Sequence, residues 1–130
     1  MLFSTQRDIL FEDMGISRPK KYYNDLKGRL AEIYVLCFLT LKGYRLVKRR
    51  FKNKYGEIDL LMRKGQNLIA VEVKFRQNME NALLSIMPHQ RHRIRNCLLS
   101  LTSHYNAHDL RCDVCAVDRR FSITHLRNAF

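Results

Sequence analysis

Four residues between positions 32 and 74 are suited to the hydrolysis of a phosphodiester with the help of a metal ion. Asp59 stands in one predicted strand, Glu72 and Lys74 stand in the next, and Glu32 stands in an apolar helix. Mg²⁺ and Mn²⁺ bind through one or two carboxylates, with waters and a substrate phosphate completing the coordination. These residue types therefore predict metal-assisted hydrolysis, with Mg²⁺ or Mn²⁺ as the cofactor.

The two predicted strands bring these acids together because side chains alternate along a strand. A hairpin through the turn Lys64-Gly65-Gln66 would pair them and let Asp59, Glu72 and Lys74 converge on one face. The predicted faces are Glu57, Asp59 and Leu61 opposite Ile58, Leu60 and Met62, then Leu68, Ala70, Glu72 and Lys74 opposite Ile69, Val71, Val73 and Phe75.

Each residue of this group has a predicted role. Asp59 and Glu72 are the candidate metal ligands, and the backbone carbonyl of Val73 is a candidate third. Lys74 would orient the attacking water or neutralise the phosphate. Glu32 lies among apolar residues, where a carboxylate is costly unless it is paired or binds a metal. The alternative for Glu72 and Lys74 is an ordinary ion pair on an exposed strand.

Glu57 is a further candidate for this site. It shares the predicted face of Asp59. It could instead pair with a basic neighbour, which would give it a structural role.

The charge of the chain predicts a polyanionic partner. Lys and Arg number 24 against 12 Asp and Glu, a formal net charge of +12. Nucleic acid, with DNA first, is the expected partner because each neutralised phosphate releases a counterion. An anionic membrane surface or an acidic protein is the alternative. The candidate nucleic-acid contacts are Lys48, Arg49, Arg50, Lys52, Lys54, Tyr55, Arg76, Gln90, Arg91 and Arg93.

Length and composition exclude several classes of protein. A chain of 130 residues, 46% hydrophobic and 28% charged, is typical of one globular domain and not of a disordered or fibrous protein. Its longest apolar stretch, 33–41, is too short to span a bilayer. The first residues do not resemble a signal peptide, so a cytoplasmic location and four reduced cysteines are expected.

The hydrophobic pattern predicts an α/β fold with a mixed central sheet flanked by helices. Residues 1–22 are expected to form an extension, and 23–130 the domain. The first helix is expected to be buried on several sides, and Pro88 to mark a start or kink in the second. Predicted helices cover 23–41 and 82–103, and predicted strands cover 44–51, 57–63, 68–75, 111–117 and 121–123.

Two other patterns have competing interpretations. His104, His108, Cys112 and Cys115 have spacings that could suit zinc, but a strand through the cysteines would point them to opposite faces. Tyr55, in a predicted turn, is a candidate for stacking on bases, whereas Tyr44 and Phe51 are expected in the core.

Four sequence blocks resemble the YraN-like family, small bacterial proteins with a restriction-endonuclease-like fold, over residues 26–118. The family's site is similar to the PD-(D/E)xK site of archaeal Holliday-junction resolvases, which implies Glu32, Asp59, Glu72 and Lys74 as the catalytic set. The chain has Pro88-His89-Gln90 where the family has Pro-x-Lys, and Cys112 where it has an aromatic residue. The blocks are Gly28-Arg29-Leu30-Ala31-Glu32, Lys42-Gly43-Tyr44, Gly56-Glu57-Ile58-Asp59-Leu60 and Val71-Glu72-Val73-Lys74.

Two functions follow from these observations. The first is a metal-dependent endonuclease, with branched DNA as a candidate substrate and a homodimer as a candidate state, because cutting a symmetric junction takes two sites. The second is a nucleic-acid-binding module that keeps the fold and does not cut. The acids favour the enzyme, since a binder would gain affinity by losing them.

Overall fold

A computed structural model describes the backbone of residues 20–130 and the side chains of residues 25–130. Most of the predicted extension, residues 1–19, lies outside the described residues. The helices are α1 (Lys20–Leu41), α2 (Met79–Leu84), α3 (Pro88–Leu99) and α4 (Thr102–Tyr105), and the strands are β1 (Arg45–Asn53), β2 (Gly56–Lys64), β3 (Asn67–Phe75), β4 (Asp109–Val117) and β5 (Ile123–Leu126).

The strands form one mixed sheet in the order β1-β2-β3-β4-β5. All neighbours are antiparallel except β3 and β4, which are parallel and joined through α2, α3 and α4. The predicted hairpin between β2 and β3 is present, with Gly65 at φ +58 in its turn. The predicted α/β class is therefore confirmed, and the architecture is compatible with a restriction-endonuclease-like fold.

Apolar residues fill both faces of the sheet. On one face α1 packs against β2, β3 and β4, and on the other α3 packs against the same three strands. Tyr44 is buried on the α1 side as predicted, and Phe51 packs in part on the α3 side. The α1 core contains Val35, Leu39, Leu60, Met62, Ile69, Val71 and Val73, and the α3 core contains Ile58, Leu61, Leu68, Ala70, Ile94, Cys97 and Leu98.

The first helix differs from its prediction in its start and in its burial. It begins at Lys20 rather than at residue 23. Only one side is buried, through Ala31, Val35 and Leu39, whereas Leu41 is 90% exposed. Within residues 25–130, the expectation of burial on several sides is wrong, because α1 packs on a single sheet face and the described part of the chain places no second layer against its other side.

The second predicted helix is in fact three helices. Ser85 ends α2, and Met87 has extended backbone (φ −67, ψ 152) just before Pro88 begins α3. A proline disfavours helical backbone in the residue before it and is well tolerated in the first turn. Of the two roles predicted for Pro88, the structure therefore shows the start of a helix.

The final strand lies later than predicted. Phe121 has φ +61, and it lies in a turn in which the Asp118 side chain accepts hydrogen bonds from the N–H groups of Arg120 and Ser122. A positive φ breaks the strand geometry, so β5 begins at Ile123. The other four strands contain the predicted strand ranges except for Tyr44, which precedes β1.

The alternation predicted for β2 fails at one point. Ile58 lies in the α3 core beside Leu61, not in the α1 core with Leu60 and Met62. Arg50, on the neighbouring strand, has φ +50, and the pairing of β1 with β2 omits Arg50 and Asp59. The faces of β2 therefore change at Asp59 without a change of register, since Arg49 pairs with Leu60 and Phe51 with Ile58. The register shift of β1, where a β-bulge is placed, lies earlier, between Leu46 and Lys48.

All four cysteines are free thiols. Cys37 is exposed, while Cys97, Cys112 and Cys115 are buried.

Over residues 20–130, none of the helices combines the length and apolar character that crossing a bilayer requires.

Gly56 is expected to tolerate no side chain, because α3 approaches it closely. A Cβ at this position would lie 3.1 Å from both the Cβ and the carbonyl oxygen of Arg93. Gly56→Ala should therefore lower the free energy of unfolding by about 1–3 kcal/mol, measured by urea denaturation.

Gly28→Ala is the matched control for this prediction. No atom lies within 4 Å of an added Cβ at Gly28, in the middle of α1. This variant should be neutral or more stable by up to about 1 kcal/mol. Equal stability of wild type and Gly56→Ala would show that the approach of α3 is not tight.

Candidate active site

The candidate site lies where β2 and β3 separate. Their regular pairing ends at Leu60 and Val71, so the next residues, Asp59 and Glu72, face each other where the ladder opens. The Asp59 carboxylate accepts a hydrogen bond of 2.9 Å from the backbone N–H of Val73. The predicted convergence of Asp59 with Glu72 is therefore present.

Glu72 is buried, with 6% of its surface exposed, and two side chains contact its carboxylate. The ammonium of Lys74 lies 3.3 Å from Glu72 Oε1, and the side-chain amide of Gln90 donates to the same oxygen at 3.1 Å. Gln90 lies in the first turn of α3, because Pro88 begins that helix. Lys74 is thus beside Glu72, as alternation along β3 predicts, but the pair is largely buried and not an exposed surface pair.

Glu32 approaches the same opening from α1. Its carboxylate is 8% exposed, and Arg50 Nε lies 3.3 Å from its Oε2 atom. That distance has no hydrogen-bond geometry: Oε2 is buried without a hydrogen-bond donor among the described residues. The expectation that Glu32 needs a partner is met by a charge on β1, although one oxygen stays unsatisfied.

Burial raises the pKa of all three carboxyl groups, and the charge of Asp59 adds to the rise in Glu32 and Glu72. Burial raises the pKa of Glu72 to about 8, and the charge of Asp59 adds to this effect against the opposing charge of Lys74. Burial also raises the pKa of Asp59, against the hydrogen bond from the Val73 N–H. Burial and the charge of Asp59 raise the pKa of Glu32, while Arg50 opposes the rise. Crowded carboxyl groups of this kind are typical of functional sites.

Stability should fall with rising pH because of Glu72. Its pKa is higher in the folded chain, about 8 against an ordinary 4.5, so folding favours its protonated form. That stabilisation is complete below pH 4.5 and is lost as pH rises through 8. In EDTA, the melting temperature of Glu72→Gln minus that of wild type should therefore increase from pH 5 to pH 9.

Glu57→Gln is the control for this titration, since Glu57 is exposed and forms an ion pair with Lys52 at 3.2 Å. This substitution removes an exposed carboxylate from the neighbouring strand and should change the melting temperature little. A flat difference for Glu72→Gln would contradict the raised pKa. The ion pair with Lys52 also matches the alternative that the sequence allowed for Glu57, which was pairing with a basic neighbour.

The donor set fits a hard divalent cation. Glu32 supplies a buried oxygen without a donor, and Asp59 and Glu72 supply crowded carboxylates that a cation would relieve. Within the described residues, no group of three or more His, Cys, Asp or Glu side chains is arranged to hold an ion. The fit therefore rests on two carboxylates with waters or a carbonyl, as Mg²⁺ commonly binds.

Two grooves flank the carboxylates. One, of about 350 Å³, is lined by Lys27, Gly28, Val73, Lys74, Phe75 and Arg76. The other, of about 290 Å³, is lined by Glu57, His89, Gln90, Arg93 and Ile94. Because Lys74 and Gln90 both contact Glu72, the site lies between the two grooves.

The predicted nucleic-acid contacts separate into two groups. The first group is exposed on β1, in its turn and beyond β3: Lys48, Arg49, Lys52, Lys54, Tyr55 and Arg76. Two of its members also contact protein, since Lys52 pairs with Glu57 and Arg76 donates to the carbonyl of Phe75. The second group contacts residues near the site or in α2 and α3: Arg50 pairs with Glu32, Gln90 donates to Glu72, Arg91 donates to the carbonyls of Leu83 and Ile86, and Arg93 donates to the carbonyl of Tyr55.

The residues of the zinc alternative do not come together. Cys112 lies in the α3 core and Cys115 in the α1 core, on opposite faces of β4 as the strand prediction required. Burial raises the pKa of Cys112 to about 11 and of Cys115 to about 12, which disfavours the thiolate that zinc requires.

One buried ionic group was missed by sequence reasoning. Asp113 is fully buried and accepts hydrogen bonds from Arg111, from His125 and from the backbone N–H of Asn128. Arg111 also donates to the Tyr44 hydroxyl, which ties β4 to the start of β1. The signal for the Arg111 contact was present, since residues two apart in a strand share a face.

Comparison with known proteins places the chain in a family. The model of the uncharacterised protein family UPF0102 matches residues 31–117, which include all four predicted catalytic residues. The chain is 40% identical over 106 residues to a UPF0102 protein of Parvibaculum lavamentivorans, covering 79% of this chain and 80% of that protein. It is 36% identical over 107 residues to one of Sinorhizobium medicae, covering 80% and 88%. The chain therefore belongs to the UPF0102 family.

Proposed function

We propose that the protein is a metal-dependent endonuclease that hydrolyses phosphodiesters of nucleic acid, with DNA as the expected substrate. The observation that carries the proposal is the meeting of Asp59 and Glu72, with Lys74 3.3 Å from Glu72, where β2 and β3 separate. The arrangement supports the resemblance to the YraN-like family and to PD-(D/E)xK nucleases. The formal net charge of the chain, +12, supports an anionic substrate.

Asp59 and Glu72 would hold Mg²⁺ or Mn²⁺, with the backbone carbonyl of Val73 as the candidate third ligand. The bound cation would supply Lewis acidity, lowering the pKa of water and neutralising the phosphate.

The protein's own groups prepare the site in two ways. The Val73 N–H fixes Asp59 through one carboxylate oxygen, and Gln90 fixes Glu72 from α3. Lys74 keeps an ammonium at the rim of the acids, where it can donate to a phosphate oxygen or to the attacking water. Positioned groups of this kind favour reaction because their orientation is set before the substrate arrives.

The grooves on either side support a nucleic-acid strand that crosses the carboxylates. Lys27 and Arg76 line one groove, and His89 and Arg93 line the other. A phosphodiester chain laid between them would contact cations on both sides of the scissile bond. A cytoplasmic location and a dimer acting on symmetric junctions belong to the same proposal.

A cleavage assay on labelled substrates tests the function. Wild type, Asp59→Ala and Glu72→Ala would be incubated with duplex, single-stranded, flapped and four-way-junction DNA and with RNA, in Mg²⁺, Mn²⁺ or EDTA. We expect cutting that needs metal and is absent from both variants. Binding without cutting on every substrate, with equal or tighter binding by the variants, would instead identify a binding module.

A further inference from the structure

Arg50 has a backbone conformation that is rare inside a strand. Its φ of +50 lies in the left-handed region, which costs a residue other than glycine about 1–3 kcal/mol unless its surroundings impose it. Its neighbours are regular, since Arg49 pairs with Leu60 and Phe51 pairs with Ile58. The left-handed conformation therefore stands opposite Asp59 with the same register on both sides of it, apart from the register shift of β1 between Leu46 and Lys48.

The side chain of Arg50 uses this conformation to reach the acids. Its Nε atom lies 3.3 Å from Glu32 Oε2, yet this oxygen has no hydrogen-bond donor among the described residues. The Arg50 side chain is 52% exposed while that of Glu32 is 8% exposed. The contact is thus a pairing of charges without a directed bond, and the guanidinium keeps an exposed side.

The charges at the opening explain why such a contact would be exchangeable. Three carboxyl groups, Glu32, Asp59 and Glu72, meet two cationic side chains, Arg50 and Lys74. Lys74 is mostly buried beside Glu72, whereas Arg50 is half exposed. A divalent cation would neutralise the acids without Arg50, and the freed guanidinium matches the geometry of a phosphate.

We propose that Arg50 is a positioning residue whose charge, held beside Glu32, opposes the binding of a divalent cation at the neighbouring acids, and that Arg50 turns to the substrate phosphate when the cation binds. This inference rests on the proposed function for its substrate, and it concerns a contact that an ordinary surface cation would not make. The proposal links metal binding to phosphate binding, because the Arg50 guanidinium pairs with Glu32 before the cation binds and with the substrate phosphate afterwards.

Metal titration by calorimetry on the full chain tests the competition without any cleavage. Arg50→Asn is the informative variant, since asparagine tolerates a positive φ and keeps the strand conformation. We expect it to bind Mn²⁺ about three to ten times more tightly than wild type. In a Glu32→Gln background the same substitution should change the affinity by less than about twofold, because the competing pair is absent.

Arg49→Gln is the matched control. It removes the same charge from the next residue of β1, which is exposed and acts on Glu32 only through space. Its effect on Mn²⁺ affinity should be smaller than that of Arg50→Asn. Equal tightening by both variants would reduce Arg50 to a general charge and overturn the proposal, as would weaker metal binding by Arg50→Asn.

The proposed contact between Arg50 and the substrate phosphate is tested by measuring DNA affinity in Ca²⁺ and in EDTA by fluorescence anisotropy. Arg50→Asn should weaken binding severalfold more in Ca²⁺ than in EDTA, because Arg50 reaches the phosphate only when the acids are neutralised. An equal loss in both buffers would overturn this part. If wild type binds Mn²⁺ and the variants behave as expected but nothing is cut, the proposed function fails while this inference stands; absence of Mn²⁺ binding by wild type overturns both.

Discussion

Asp59→Asn and Glu72→Gln are each expected to lower the rate of DNA cleavage about a thousandfold or more while leaving the protein folded. Each substitution keeps the shape of the side chain and removes a carboxylate from the opening between β2 and β3. The loss should appear in the rate at saturating substrate if, as proposed, these acids act on the reacting phosphate and not on binding alone. Single-turnover cleavage of the preferred substrate measures it.

Binding should move in the opposite direction. At pH 9, above the pKa of about 8 of Glu72, both variants remove a negative charge beside the phosphate, so their DNA affinity in EDTA should be equal to or tighter than that of wild type. Glu57→Gln, in the same strand and exposed, should keep cleavage within about threefold of wild type. A similar loss of cleavage from all three variants would assign the effect to the β2–β3 hairpin as a whole and contradict the specific role proposed for Asp59 and Glu72.

Asp113→Ala is expected to destabilise the fold by about 3–5 kcal/mol, because it leaves a buried guanidinium without its partner. Arg111 donates to both oxygens of Asp113, at 2.8 and 2.9 Å, and His125 Nε2 lies 2.8 Å away. The Asp113 side chain is 0% exposed and that of Arg111 is 19% exposed. Loss of the carboxylate would free β5 and the Tyr44 contact together. Urea denaturation measures the change.

The pH dependence of this variant has a defined sign. Burial would raise the pKa of Asp113, but hydrogen bonds from His125, Arg111 and the Asn128 N–H outweigh it and lower the pKa. The carboxylate therefore stabilises the fold above its ordinary value of 3.8, and this is lost as pH falls through the lower folded pKa. The difference in the free energy of unfolding between wild type and Asp113→Ala should thus become smaller at acidic pH.

Asp109→Ala is the control for Asp113, since Asp109 is exposed at the start of the same strand. It should change the free energy of unfolding by no more than about 0.5 kcal/mol. A loss of less than 1 kcal/mol in Asp113→Ala would mean that solvent or other groups replace the carboxylate, and the cluster would not be the support described above.

The chemistry of the site was predictable where it depended on alternation along one strand. Glu72 and Lys74 share a face because they are two residues apart, and the hairpin turn at Gly65 sets the register that brings Asp59 opposite Glu72. Period and turn chemistry are local properties, so the residues themselves carry them. The α/β class followed from the same patterns.

Contacts between distant elements were not predictable in this way. The left-handed conformation of Arg50 and its pairing with Glu32 depend on how α1 lies across the sheet, and no spacing in the sequence records that. The burial of α1 on one side only was not predictable for the same reason, since it depends on the packing of α1 against a single face of the sheet. The sequence predicted Gln90 as a nucleic-acid contact and gave no sign of its contact with Glu72. Because α3 begins at Pro88, the side-chain amide of Gln90 lies beside the Glu72 carboxylate.

The basic strand β1 has one further consequence, for solubility. Among the described strands it lies at the edge of the sheet, so one side of its backbone has no partner strand within residues 20–130. Charged side chains along an exposed edge oppose the addition of a strand from another molecule. The exposed cations Arg45, Lys48, Arg49 and Lys52 are therefore expected to oppose pairing of two copies of the chain along this edge. Neutralising several of them at once to study substrate binding would promote aggregation, whereas reversing or replacing one at a time preserves the repulsion.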